Sequence, residues 1–233
     1  MKINVKKIRS LRLGISEDEK VTLGNEKIDQ VDSFTYLGSI ISKDGGSSED
    51  VKNRIAKAQG VFSQLKKVWK NRKISLQTKL RILEFWNFRI LEFGAWALRK
   101  ADEDLLDVFQ RNCLRIVLGT RLTDRISNNR LYEKCGSIPL SRAIMKERLR
   151  WLGHVVRMKD DRLPKIVLFG QLSRAKQKAG RPRLGWEDVI KKDLKEMGTS
   201  WAGVKREALN RLGWRRSVRS CVGLRRLGAA MSC

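Results

Sequence analysis

A short alternating segment, Phe34-Thr35-Tyr36-Leu37-Gly38-Ser39-Ile40-Ile41, leads into the turn Asp44-Gly45-Gly46 and then into the most regular apolar pattern of the chain. Between residues 47 and 72, Val51, Ile55, Ala58, Phe62, Leu65 and Trp69 recur at steps of four and three. That spacing sets them on one stripe of an α-helix. Period two, a glycine turn and then a period near 3.6 together predict a strand that feeds a helix. So small a β segment leaves its apolar face bare and needs a partner layer, so helices must supply most of the core. Ser47 or Ser48 is placed to cap the helix, and Glu49 and Asp50 fall where the positive end of its dipole favours acids.

The remaining pattern agrees. Upstream, Lys2-Ile3-Asn4-Val5 and Leu11-Arg12-Leu13 alternate, and Val21-Thr22-Leu23, Gly24-Asn25, Glu26-Lys27-Ile28 reads as a hairpin. Downstream, one helix starts at Ser75 and runs through Leu76, Leu80 and Leu83. Another starts at Asp102, with Leu105, Leu106, Phe109, Cys113, Ile116 and Val117 on its apolar side, and stops at Gly119. A helix over 139–158 has Pro139 near its start and Leu140, Ile144, Leu149, Leu152 and Val156 inside. Arg142, Lys146, Arg148, Arg150 and Arg157 decorate it. Trp186, Val189, Ile190 and Leu194 mark a helix that ends at Gly198. Ser200 caps a last one carrying Trp201, Val204, Ala208 and Leu212, and Arg215 to Cys233 reads as a basic tail. The fold class expected is mainly α with a small N-terminal β segment (α+β). The expected divisions are 1–46, 47–120, 121–170 and 171–233.

Charge restricts the partners. The chain of 233 residues has 51 lysines and arginines against 25 acids, a formal net charge of +26. The excess is densest after residue 139, where 24 basic residues face 8 acids. Such a body repels itself unless an anion answers it, and nucleic acid is the usual polyanion. A solvated cationic surface, or a basic helical module docking an acidic protein, is the competing reading. Two stretches concentrate the charge. Lys66, Lys67, Lys70, Arg72, Lys73 and Lys79 exceed the two or three cations that a helix C-terminus would use and predict a phosphate-tracking surface. Residues 171–185 hold two glycines, one proline and five basic residues, Arg174, Lys176, Lys178, Arg181 and Arg183, with no acid. That composition predicts a loop binding phosphates without reading bases.

Other chemistries are excluded. Cys113, Cys135, Cys221 and Cys233 form no Cys-x-x-Cys pair, and His154 is the one histidine, so a structural zinc site is hard to assemble. Cys113 reads as a small hydrophobe, Trp151 as a core anchor and His154 as a structural histidine. Asp160-Asp161 lacks the preceding apolar strand and aromatic of a polymerase carboxylate turn. No secretory leader and no apolar run of about 18 residues is read in the sequence, and widely spaced thiols fit a reducing compartment, so the expected location is nucleus or cytoplasm.

Four motifs resemble one family. The aromatic-x-Tyr-Leu-Gly-x-apolar-apolar pattern of Phe34–Ile41 resembles the point where reverse transcriptases of non-LTR (LINE-type) retrotransposons leave the palm and enter the thumb. Trp151-Leu152-Gly153-His154-Val155-Val156-Arg157-Met158, Gly180-Arg181-Pro182-Arg183-Leu184-Gly185-Trp186-Glu187-Asp188 and Asn210-Arg211-Leu212-Gly213-Trp214-Arg215 continue the resemblance over nearly the whole chain. It implies a palm remnant over 1–46, thumb-like helices over 47–120, a helical connector over 121–170, and a basic linker, two helices and tail over 171–233. Phe34, Tyr36, Leu37 and Gly38 would then be primer-grip-like, the thumb helices would hold a template–primer duplex, and the Arg174–Arg183 loop would hold element RNA or target DNA. The parent RNA-directed DNA polymerase needs Mg²⁺ held by palm carboxylates. No such Asp-Asp turn, no endonuclease domain and no C-terminal Cys/His knuckle is found in this sequence, so the expected catalytic residues and cofactors are none. One departure stands out. The family pattern aromatic-Gly-x-Glu-x-Trp is replaced by Phe93-Gly94-Ala95-Trp96, a two-residue loss that turns a helix face by about 200°.

Overall fold

The computed structural model describes residues 8–12, 21–23, 26–36, 39–43, 47–91, 98–120, 122–169 and 186–223. It is mainly α with a small N-terminal β segment. Among the described residues four short strands form two separate two-stranded antiparallel sheets. β1 (Thr22–Leu23) pairs with β2 (Glu26–Lys27) in the register Thr22↔Lys27, as the glycine-led turn predicts. β3 (Ser33–Tyr36) pairs with β4 (Ser39–Ser42) through Phe34↔Ile41 and Tyr36↔Ser39. The segment Phe34–Ile41 is therefore a hairpin and not one strand. Alternation continues across a two-residue connection, so periodicity alone does not reveal the reversal. Leu11 and Arg12 belong to no strand, and Ser10 makes an isolated bridge to Gln30. Lys2–Val5 lies outside the described residues.

Helices follow. α1 (Ser48–Gln64) and α2 (Lys66–Lys70) replace the single helix expected over 47–72. The break at Leu65 has a local cause. The Phe62 carbonyl, due to accept from Lys66, instead accepts Trp69 Nε1 at 2.8 Å and Leu65 N at 3.2 Å. The predicted stripe still turns inward on both pieces. α3 (Leu76–Leu91) starts where Ser75 Oγ accepts from Thr78 N. α4 (Lys100–Leu118) ends at Gly119, whose φ of +69° explains the glycine. Its apolar side is narrower than expected: Leu106, Phe109, Cys113, Leu114 and Val117 are buried, whereas Leu105 and Ile116 are exposed.

A 3-10 turn at Leu122–Asp124 leads to α5 (Asn128–Cys135), capped by Ser127 and stopped by Gly136 at φ +56°. α6 (Leu140–Val156) is the central helix. Its first free amides are satisfied from α4: Gln110 Oε1 accepts Leu140 N at 2.8 Å and Asp107 accepts Ser141 N at 2.9 Å. After α7 (Leu163–Phe169) and α8 (Trp186–Met197), the expected last helix divides into α9 (Trp201–Glu207) and α10 (Arg211–Cys221). Asn210 caps α10 by accepting Gly213 N, and Trp214 and Val218 are buried. Residues 215–221 are thus packed helix and not tail, and Leu212, expected inside, is 67% exposed.

Three apolar clusters build the core. The first joins α1 to α5 around Phe109, Leu114 and Leu131. The second joins Val51, Leu98, Leu106 and Ile144. The third joins α6, α8, α9 and α10 around Leu149, Leu152, Ile190 and Trp214. α6 enters two of them, its first half facing α4 and its second half facing α8 and α10. Arg148 is the exception among the arginines expected to decorate this helix, being 1% exposed. Among the described residues no helix is long and apolar enough to cross a membrane.

Candidate nucleic-acid interface

The hairpin that carries Phe34 and Tyr36 is tied to α1 by charge. Asp50 is fully buried and accepts Ile40 N at 2.9 Å and Arg54 Nε at 2.9 Å. Arg54 Nη2 donates to Ser39 Oγ at 2.6 Å, and Ser42 Oγ donates to Glu49 at 2.7 Å. A buried pair that also satisfies a strand amide fixes one geometry and not merely proximity. Phe34 lies on the exposed side of this hairpin. Leu37 and Gly38 lie outside the described residues.

The first cationic surface is the α2 corner. Lys66, Lys67, Lys70, Arg72 and Lys73 are all exposed, and none has an acidic partner among the described residues. What holds them in place is buried beneath. Trp69 is 4% exposed and stacks on Phe62 with ring centroids 5.0 Å apart. Lys79 is a correction: it is 8% exposed and its Nζ donates to Trp69 O at 2.9 Å. It closes the end of α2, a carbonyl that would otherwise be orphaned, and does not belong to the exposed cationic set. Arg174, Lys176, Lys178, Arg181 and Arg183 lie outside the described residues.

A second cationic corner escapes the sequence reading. His154 and Arg157 end α6, Lys159 and Arg162 follow in the next turn, and all but Arg157 are exposed. Expected to be a satisfied structural group, His154 instead faces solvent because its neighbours Leu152, Gly153, Val155 and Val156 take the inward positions. Arg211 and Arg215 of α10 approach Arg157. The signal was available: Asn-Arg-Leu-Gly marks a capped helix start, and helical spacing then places Arg211 and Arg215 on one face.

The remaining candidates carry no visible chemistry. Burial pushes the Cys113 thiol up to about 12, and Cys135 is also raised by burial, so neither is a poised nucleophile. Among the described residues no three His, Cys, Asp or Glu side chains gather as metal ligands. Asp160 is exposed and paired with Lys165 at 2.7 Å.

The C-terminal motifs prove to be packing devices that touch one another. Trp151 is half-buried and meets Trp186 edge-on, with centroids 4.9 Å apart. Trp214 Nε1 donates to Leu149 O at 2.9 Å. A Cβ on Gly153 would lie 2.3 Å from that same Nε1, so the glycine of one motif makes room for the tryptophan of another.

No protein-family model matches the chain, and no solved structure matches it significantly. It is similar to a Caenorhabditis elegans protein named "Putative uncharacterized transposon-derived protein F52C9.6", with 24% identity over 225 residues, covering 89% of this chain and 80% of that protein.

Proposed function

We propose that the chain is a nucleic-acid-binding segment of a non-LTR retrotransposon reverse transcriptase, comprising the end of the palm, the thumb-like helices and the basic C-terminal region. It supplies grip and no catalytic carboxylates. The observation that carries this reading is the net charge of +26, part of it standing on exposed, unpaired lysines and arginines of the α2 corner. The likeness to a transposon-derived protein supports a transposable-element origin, and the four motifs support the reverse transcriptase assignment.

The segment's own chemistry is electrostatic. Lys66, Lys67, Lys70, Arg72 and Lys73 contact backbone phosphates, which fixes register without reading sequence. The β3–β4 hairpin, clamped by Asp50 and Arg54, presents Phe34 at the primer-grip-like edge, with Tyr36 on the same strand. Arg174, Lys176, Lys178, Arg181 and Arg183 add a second contact to element RNA or target DNA. When Mg²⁺ is bound in the parent polymerase it supplies charge neutralisation for phosphoryl transfer. The described residues gather no ligand set for it.

The test is fluorescence anisotropy with a labelled single-stranded RNA and a duplex of equal length. Affinity should fall steeply with salt, with a log–log slope of about −0.7 to −0.9 per phosphate contact. A flat response between about 50 and 200 mM salt, where such binding changes most, overturns the reading. Displacement of the RNA by polyglutamate as readily as by unlabelled RNA favours an acidic protein partner instead. Primer extension on an RNA template should give no incorporation, and activity that survives further purification contradicts the absence of a catalytic role.

A further inference from the structure

Between the end of α6 and the start of α7 lies a groove of about 460 Å³ lined by His154, Arg157, Met158, Lys159, Arg162 and Pro164. No acid lines it. Asp160, in the same turn, is engaged by Lys165. Arg157 reaches the Ala208 carbonyl just ahead of α10, and burial first, then the charges of Arg211 and Arg215, hold its guanidinium below the usual arginine range. Like charges are thus brought together with no ion pair to them among the described residues, although Asp161 stands exposed in the same turn, and a bound anion would relieve the repulsion.

The corner is also rigid. Arg157 Nη1 donates to the Ala208 carbonyl at 2.6 Å, and Lys165 Nζ to the Met158 carbonyl at 2.8 Å. Beneath it Trp214 is buried and bonded to Leu149. A preformed cationic site loses little on binding compared with surface side chains that must first be ordered.

We infer that this groove, with Arg211 and Arg215, is a second nucleic-acid site that takes backbone phosphates of a strand. The inference rests on the nucleic-acid reading above and adds to it a site that the sequence did not nominate. Guanidinium forks match phosphate oxygens, and four of the cations are arginines. Arginine, lysine and His154 supply its polar lining, so contacts to backbone phosphates dominate over base readout, and single strands and duplex should be held alike.

The experiment uses the full chain and a fluorescein-labelled single-stranded RNA and duplex DNA of equal length. Arg162, Arg211 and Arg215 are exposed, so the triple variant R162Q/R211Q/R215Q should keep the wild-type thermal melt. Its affinity at about 100 mM salt should fall roughly 10- to 100-fold for both probes, and its salt slope should become shallower by about two. The variant K52Q/K57Q/R130Q removes the same charge from exposed positions elsewhere and should lose less than about threefold, because separated surface charges are screened. R162K/R211K/R215K should retain the slope. If the glutamine triple binds like wild type while wild type binds RNA, the groove is no phosphate site and only the broader reading stands. Failure of wild type to bind RNA at about 50 mM salt removes both. If the triple loses polyglutamate binding as strongly as RNA binding, the corner is a site for acidic polymers in general and this inference falls.

Discussion

Arg148 is fully enclosed, yet it sits on the inward stripe of α6 among Met145, Leu149 and Leu152. Its Nε and Nη2 donate to Asp193 at 2.8 and 3.1 Å, and Nη2 reaches Glu103 at 3.4 Å. One side chain therefore ties α6 to both α4 and α8. Burial pushes the Asp193 carboxyl up, and the Arg148 fork pulls it part of the way back. Removing the arginine alone leaves two carboxylates without their cation. R148M should cost about 3–5 kcal/mol in urea unfolding at neutral pH, the range for a broken buried pair. The sign with pH follows from the raised carboxyl. A folded-state acid with a raised pKa binds more protons than the unfolded chain, so its cost is full above that pKa and fades as pH falls. The R148M deficit should therefore shrink on acidification. A deficit below about 1 kcal/mol at neutral pH, or one that grows on acidification, means the network is only a surface-type pair.

At the scale of elements, α6 and α10 meet through a glycine and a tryptophan drawn from two motifs far apart in the chain. The Gly153 position leaves no room for a methyl group beside Trp214. G153A should destabilise by about 1–3 kcal/mol, as overpacking does. Combining it with W214F, which trims the indole that the new methyl would strike, should cost less than the sum of the two single changes. Additive losses in urea midpoints would show that the two side chains do not share that space. Legibility from sequence differed by element for physical reasons. α1 and α4 have long apolar stripes and clear stops, so their periods were readable. α10 buries only Trp214 and Val218 along eleven residues, and its arginines disguised it as a tail. α5 and α7 are eight and seven residues long, too short for a period to declare itself. Five of the α2 cations were legible as surface charges, since they do stay outside. Lys79 was not, because its role depends on an orphaned carbonyl that only the break at Leu65 creates. Arg148 carried a usable signal, since its position falls on the apolar stripe and its charge required buried partners. The α10 half of the α6–α10 corner was readable from its capped start and the spacing of Arg211 and Arg215, but its meeting with the end of α6 was not, because only tertiary packing joins the two elements.

For the whole molecule, the net charge of +26 sets two opposing effects of salt. Folding gathers cations that the unfolded chain spreads apart, so self-repulsion weighs against the compact state. Screening reduces it, and without a ligand the melting temperature should rise as salt increases from about 10 to 200 mM, a range over which the Debye length shrinks from about 30 Å to below 10 Å. A bound polyanion should reverse that dependence. RNA in excess at low salt stabilises whichever state binds it better, by up to about 2.7 kcal/mol at a hundredfold excess over Kd. The unfolded polycation also binds RNA and reduces the gain. A folded body that presents the α2 corner and the Arg157 groove as fixed sites should still win. Melting in the presence of RNA should therefore be highest at low salt and fall toward the ligand-free curve as salt is added, so that the two curves converge from opposite directions. If salt lowers the melting temperature of the free chain, ion pairs such as Arg148–Asp193 outweigh the surface repulsion. If RNA lowers it at low salt, the cations are better matched to RNA when unfolded than when arranged by the fold, and the cationic corners are not binding sites.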